Sequence, residues 1–330
     1  MTTPLPDAAP ANWVDRHAPP RLRPWLRLAR LDRPTGIWLL MLPGWQGIAL
    51  AAATAGKAPD AKLLVLFAFG ATLMRSAGCA FNDIVDRKID ARVARTAMRP
   101  IPAGEITVRG AVVFLVACSL VSLAVLLSLN LLSLYLGVAS LVLVAAYPFM
   151  KRITWWPQAW LGLTFNWGAL LGYAAAMGGP PSIVLLSLVT GAGMAGTDLS
   201  LITRALPPAA IMLYASGVFW TLGYDTIYAV QDLEDDALIG VKSSARRLGA
   251  TAPRAVLGFY GASVALLAGA GIVAGLGPFF YAAVALFGMH LGRQATRLSM
   301  RDPAAALAAF KSNTGAGLLA FAGIVAGLLR

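Results

Sequence analysis

Acid is the scarcest chemistry in this chain. Its 330 residues include 15 Asp and Glu against 27 Lys and Arg, and charged residues of both signs make up only 13%. Soluble domains carry about a quarter charged residues, so the composition argues against a soluble fold. Cysteine is nearly absent. Cys79 and Cys118 both fall inside apolar stretches and read as packing residues rather than a disulfide or metal pair. The two histidines, His17 and His290, lie far apart and give no sign of a catalytic imidazole. Residues 1–20 lack the short apolar core and cleavage site of a signal peptide. Rich in Pro, Ala and Asp, they are expected to form a mobile tail, with 21–330 a single transmembrane domain.

Long apolar runs are abundant. Hydrophobic residues make up 58% of the chain, and runs of about bilayer-spanning length recur along it. The expected spans are 35–56, 61–82, 110–129, 131–150, 158–177, 208–230, 254–275, 279–297 and 314–329. This predicts an all-α integral membrane protein with nine transmembrane helices. Residues 21–34, with Arg21, Trp25, Leu26, Leu28 and Leu31, read as an amphipathic segment at the membrane surface. The stretch 182–197 is apolar but short and glycine-containing, so it is expected to form an outer-side loop.

Basic residues fix the expected orientation. Arg16, Arg21, Arg23, Arg27, Arg30 and Arg33 precede the first span, and Arg87, Lys88, Arg92, Arg95, Arg99 and Arg109 follow the second. Lys151 and Arg152, then Lys242, Arg246 and Arg247, then Arg293, Arg297, Arg301 and Lys311 fall on the same side. Lys57, Lys62, Arg204 and Arg330 are left for the other side. By the positive-inside rule the N-terminus and these loops are cytoplasmic and the C-terminus opposite. A bacterial inner membrane is the expected location. The net charge of +12 therefore reads as topology plus an anion-binding surface, not as nucleic-acid binding.

The little acid there is clusters. Asn82-Asp83-Ile84-Val85-Asp86-Arg87-Lys88-Ile89-Asp90 and Asp225-Thr226-Ile227-Tyr228-Ala229-Val230-Gln231-Asp232-Leu233-Glu234-Asp235-Asp236 hold eight of the 15 acids. Both end apolar stretches, where carboxylates are costly without cations or a function. Asp83, Asp86 and Asp90 fall at i, i+3 and i+7, on one helical face. Asp225, Asp232 and Asp236 fall at i, i+7 and i+11, again on one face. Like charges repel, and a helix C-terminus disfavours anions, so something positive must compensate. Hard divalent cations take oxygen ligands, and magnesium combines few carboxylates with water and phosphate oxygens. Two such clusters with arginines nearby describe a magnesium–diphosphate site. The bland alternative is solvated loop starts balanced by Arg87, Lys88 and Arg92. Arg75, about two turns deeper than Asn82, would reach a diphosphate or pair with an aspartate.

At these residues the chain resembles the UbiA family of membrane prenyltransferases. Asn82, Asp83, Asp86 and Asp90 match its N-D-x-x-D-x-x-x-D motif, and 95–104 resembles its R-T-x-x-R-P-[IL]-P-x-G loop. Asp225, Tyr228, Ala229, Asp232 and Asp236 match its D-x-x-Y-A-x-x-D-x-x-x-D motif, and Arg33-Pro34 with Gly36 also fits. The flanks 224–229, 235–243 and 147–152 are similar to the branch that prenylates 4-hydroxybenzoate in ubiquinone biosynthesis. The resemblance covers nearly all of 22–330, with 182–205 an insertion longer than usual.

The resemblance implies helices around a central cavity, cap loops over the aspartates, and an opening to the lipid bilayer for the prenyl tail. The implied partners are a polyprenyl diphosphate and 4-hydroxybenzoate, with Mg2+ held by Asn82, Asp83, Asp86, Asp90, Asp232 and Asp236. Candidate diphosphate contacts are Arg75, Arg87, Lys88, Arg92, Arg95, Arg99 and Lys242. Asp225 is implied to orient or deprotonate the phenol, with Tyr228 beside it. Arg152, Arg30 or Arg33 would supply the cation for the benzoate carboxylate. Tyr228 could equally be headgroup-level packing. Other acceptors, such as a naphthoate, homogentisate, chlorophyllide or haem, are rivals within the family. An ion-coupled transporter would place its acids near the bilayer midplane, which these positions do not favour.

Overall fold

The computed structural model describes residues 12–92, 96–178 and 206–329. Every regular element among them is helical. In chain order they are α1 (Trp13–His17), α2 (Arg23–Leu28), α3 (Thr35–Thr54), α4 (Ala61–Asp90), α5 (Val108–Leu127), α6 (Leu131–Ile153) and α7 (Pro157–Ala176). Then come α8 (Pro208–Tyr228), a 3-10 turn (Ala229–Asp232), α9 (Leu233–Ile239), α10 (Ser244–Leu248), α11 (Ala252–Ala274), α12 (Pro278–Arg297) and α13 (Pro303–Ala326).

Among the described residues, five segments are long and apolar enough to cross a membrane by length and composition, not the nine expected: Thr35–Thr54, Ala61–Asp90, Val108–Leu127, Leu131–Ile153 and Ser244–Ala274. The other long helices, α7, α8, α12 and α13, carry polar and small residues on their buried faces. Gln158 and Asn166 in α7, Ser216 and Thr221 in α8, Gln294 in α12 and Asn313 in α13 are all buried. A packed face built this way lowers a helix's apolar character without exposing the polarity, and in α12 the exposed Arg293, Thr296 and Arg297 lower it further. Residues 12–20 of the expected mobile tail include α1, whose Trp13 Nε1 donates to Leu31 O at 2.7 Å. Residues 1–11, Arg95 and the expected loop and insertion at 182–205 lie outside the described residues.

The chain divides into two compact units. The first comprises Met1–Trp38 and Ala68–Val125. Its core is Leu28, Ala80, Ile101, Ile106 and Ala111, with Trp25, Ile84 and Phe114 packed against them. α2 ends in a hydrogen-bonded reversal: Leu31 N donates to Leu26 O and Arg30 N to Arg27 O, both at 3.0 Å. That is the Schellman pattern, which places its C′ residue in the left-handed region where glycine is usual. Here the residue is Arg30, with φ 61°, and it is the sole non-glycine with positive φ among the described residues.

The second unit comprises Leu39–Phe67 and Leu126–Arg330. Its helices approach closely through small residues, as membrane helices do. A Cβ on Gly172 would collide with Gly44 O, and one on Gly47 with Ala169 O. Indole N–H groups tie neighbouring helices: Trp160 to Leu143 O at 2.9 Å and Trp167 to Leu136 O at 2.8 Å. A buried polar chain links α8, α11, α12 and α13. Trp220 Nε1 donates to Asn313 Oδ1 at 2.8 Å, Asn313 Nδ2 to Gln294 Oε1 at 3.3 Å, and Tyr260 OH to the same Oε1 at 2.8 Å.

Candidate active site

The first acidic motif sits in the first unit, on the end of α4. The apolar run that marks this span ends at residue 82, but the helix continues to Asp90. Its 30 residues measure about 45 Å, more than the hydrocarbon core of a bilayer. Anions at a helix C-terminus oppose the helix dipole, and two arginines offset them. Arg30 NH2 donates to Asp83 Oδ1 at 2.7 Å and Oδ2 at 2.9 Å. Arg99 NH1 donates to Asp83 Oδ1 at 3.2 Å and Asp90 Oδ2 at 2.8 Å. Asp83 and Asp86 are wholly buried, and Asp90 nearly so. Thr96 Oγ1 donates to Asp90 O at 2.9 Å, which fastens the following loop to the motif.

Around this core the first unit carries further ion pairs. Arg33 bonds the buried Asp32 at 3.2 Å. Burial pushes the Asp32 carboxyl above its ordinary value, against the opposing effect of Arg33 and Arg30. Arg27 pairs with Asp15 at 2.8 Å. Burial would raise Asp15 as well, but hydrogen bonds from Arg27 and Asn12 outweigh it and hold the carboxyl below its usual range. Arg75 packs its guanidinium against Gly36, where a Cβ would stand 2.9 Å from Nε.

The second motif sits in the second unit. Asp225 and Tyr228 lie in the last turn of α8, Asp232 ends the 3-10 turn, and Asp236 lies in α9. The Tyr228 ring lies tilted by 45° against Phe310 at 4.4 Å, and Tyr224 meets Phe310 at 5.8 Å and Trp220 at 5.3 Å. Thr226 Oγ1 and Ser244 Oγ are 2.7 Å apart, and Ser244 N donates to Gln158 Oε1 at 2.9 Å. α9 ends at Gly240, with φ 73°, a left-handed turn that lets Val241 N donate back to Asp236 O at 3.0 Å. Arg246 NH1 donates to Asp236 O at 3.0 Å and also to Val241 O. Lys242 Nζ donates to Ile153 O at 3.0 Å. The exposed Arg152 lies 6.0 Å from the Phe149 ring centroid.

The structure thus gathers Asp83, Asp90 and Arg99 at one place, with Asp86 buried on the same helix. Arg87, Lys88 and Arg92 are exposed on and after that helix end, and Arg87 NH1 donates to Ile84 O at 2.7 Å. Arg30 and Arg33, offered as partners for an acceptor carboxylate, are instead engaged by Asp83 and Asp32. The sequence reading missed Arg30 on Asp83, Phe310 on Tyr228 and Arg246 on the turn after Asp236. Only the last had a local signal, since Arg246 lies in α10, ten residues after Asp236.

Among the described residues no three His, Cys, Asp or Glu side chains converge to hold a metal by themselves. The donor chemistry nonetheless fits a hard divalent cation. The first motif offers buried carboxylate oxygens and an amide, and such a cation completes its shell with water and phosphate oxygens.

An all-helical chain with bilayer-length helices and two aspartate motifs at helix ends defines a class of membrane enzyme built to handle a charged headgroup beside hydrocarbon. The comparisons with known proteins narrow it. Residues 40–322 match the model of the UbiA prenyltransferase family, and the chain belongs to that family. It is 45% identical over 316 residues to "4-hydroxybenzoate polyprenyltransferase, mitochondrial" of Bos taurus, covering 96% of this chain and 78% of that one. The Arabidopsis thaliana protein of the same name is 44% identical over 318 residues, covering 96% and 72%. Among solved structures, the apo UbiA homolog from Aeropyrum pernix K1 aligns with a TM-score of 0.71 at 26% identity, covering 88% of this chain and 98% of that one. A UbiA homolog from Archaeoglobus fulgidus bound to GPP and Mg2+ aligns with a TM-score of 0.57 at 18% identity, covering 91% and 99%, and shares the fold. The curated relatives are mitochondrial proteins of eukaryotes. This corrects the expectation of a bacterial inner membrane with a cytoplasmic active site: the relatives point to a mitochondrial membrane.

Proposed function

We propose that this protein transfers a polyprenyl group from a polyprenyl diphosphate to the ring of 4-hydroxybenzoate, ortho to the hydroxyl, in ubiquinone biosynthesis. The observation that carries this reading is 45% identity across 96% of the chain to a 4-hydroxybenzoate polyprenyltransferase, with both aspartate motifs intact. In the reaction the allylic C–O bond breaks, diphosphate leaves, a ring carbon bonds to the allylic carbon, and the displaced ring proton is lost.

Asn82, Asp83, Asp86 and Asp90 of the first motif, with Asp232 and Asp236 of the second, would hold Mg2+. Magnesium bound there would neutralise the leaving diphosphate. Arg75, Arg87, Lys88, Arg92, Arg95, Arg99 and Lys242 would bind the remaining diphosphate charge, the stabilisation a dissociating anion needs. Asp225 would orient or deprotonate the phenol, and Tyr228 would stand beside it. Arg152 would take the benzoate carboxylate, because Arg30 and Arg33 already serve Asp83 and Asp32. Apolar walls would keep water from the allylic cation.

The test is transfer of a polyprenyl diphosphate to labelled 4-hydroxybenzoate in membranes. Asp83→Ala and Asp232→Ala should each abolish product. EDTA should stop the reaction, and magnesium should restore it. Full activity in both variants, or indifference to EDTA, would sink the metal assignment. Transfer to a naphthoate or homogentisate in place of 4-hydroxybenzoate would sink the acceptor.

A further inference from the structure

We infer that Arg30 is the resident counter-ion of Asp83, a positioning residue that a divalent metal must displace to bind the first motif. The inference rests on the metal reading above. Three observations carry it. Arg30 adopts a left-handed backbone, φ 61°, at the C′ position of a Schellman turn. A residue with a Cβ is disfavoured there by about 1–2 kcal/mol, so some gain elsewhere must hold it. Its side chain spans both oxygens of Asp83, at 2.7 and 2.9 Å. Both partners are withdrawn from water, with side-chain exposures of 10% and 0%.

A guanidinium keeps its positive charge, so Arg30 is a fixed cation beside Asp83. It frees the ionised carboxylate only by moving. NH1 also donates to Arg27 O at 3.1 Å, which pins the guanidinium to the C-terminal turn of α2. Magnesium requires close, near-octahedral oxygen ligands. A cation held across both Asp83 oxygens blocks that approach sterically and repels it electrostatically. Arg30 therefore keeps the motif folded and neutralised before substrate arrives, and makes metal binding weak until diphosphate oxygens complete the shell. The strained turn sets where the guanidinium waits.

The test measures metal affinity without substrate. Purified protein in detergent is titrated with Mg2+ alone, and the shift in thermal unfolding midpoint gives an apparent Kd. Arg30→Gly suits the left-handed backbone and removes the cation. Arg30→Met removes the cation and keeps the Cβ, so a shared result reports charge rather than backbone. Both should bind Mg2+ about tenfold more tightly than wild type, and both should melt lower without metal. Arg30→Lys keeps a cation and should bind nearer to wild type. Equal or weaker affinity in Arg30→Gly and Arg30→Met, alongside a measurable wild-type Kd, overturns this role and leaves the metal reading standing. No saturable shift in any of the proteins overturns both.

Discussion

Removing Arg99 should loosen the loop after the first motif, by an amount the geometry bounds. Arg99 NH1 sits 2.8 Å from Asp90 and 3.2 Å from Asp83, with side-chain exposures of 16% against 7% and 0%. Breaking a buried ion pair by deleting one partner costs about 3–5 kcal/mol. Asp83 keeps Arg30, so the lower end, about 3 kcal/mol, is expected for Arg99→Met. Asp90→Asn removes the other charge and leaves Arg99 on Asp83. The double variant should lose less than the sum of the singles, with a coupling of about 2 kcal/mol. Unfolding by SDS titration in mixed micelles gives each value. The same variants should raise KM for the polyprenyl diphosphate and leave KM for 4-hydroxybenzoate unchanged, because the pair lies at the first motif. A coupling under about 0.5 kcal/mol would mean that Arg99 and Asp90 do not act as a unit, and the anchoring argument would fail.

Gly172→Leu drives a side chain into Gly44 O and should cost about 1–3 kcal/mol by overpacking; an unchanged melting midpoint would refute the close approach. Phe310→Ala removes the ring 4.4 Å from Tyr228 and should raise KM for 4-hydroxybenzoate severalfold, whereas Phe310→Leu should recover part of it. The Asp15 carboxyl is held low, so its contribution is present above the unfolded value of about 3.9. It is lost as pH falls through the folded pKa, and fluorescence of Trp13, bonded to Leu31 O, should report the release. Asp32 runs the other way. Its folded pKa is raised by burial, so its contribution is full below the unfolded value and falls as pH rises through the folded one. In Asp32→Asn that decline should vanish from the stability–pH profile.

The helices were legible because their signal is long and redundant. A run of apolar residues about 20 long survives any local error, and seven of the expected spans agree with the observed ends within about two or three residues. The two largest differences have local causes. The apolar run of α4 ends at residue 82, where the charges begin, yet Arg30 and Arg99 neutralise those charges and the helix continues to Asp90. α13 begins at Pro303, where the Asp302 side chain accepts from Ala305 N at 2.9 Å. That cap was written in the sequence as Asp-Pro but lies outside the apolar run, so hydropathy began the span at 314. The shortfall from nine spans to five has a similar origin: hydropathy cannot tell a lipid-facing residue from one packed on a neighbour. Asn166 and Asn313 lower the mean hydropathy of their helices while sitting wholly inside the protein.

The site divides along the same line. Spacing within a helix is one-dimensional, so three aspartates on one face could be read directly. Which arginine serves which acid is a long-range fact, and Arg30 reaches Asp83 across 53 positions of sequence. Nothing in the residues near Arg30 names that partner. Only its misfit with its own turn marks it, since a Schellman C′ position favours glycine and this one holds arginine. A residue that breaks the local rule has its reason elsewhere in the fold. The first motif supplies that reason: a wholly buried carboxylate that needs a cation. Local strain at residue 30 and buried charge at residue 83 are each unfavourable alone, and the ion pair between them offsets both.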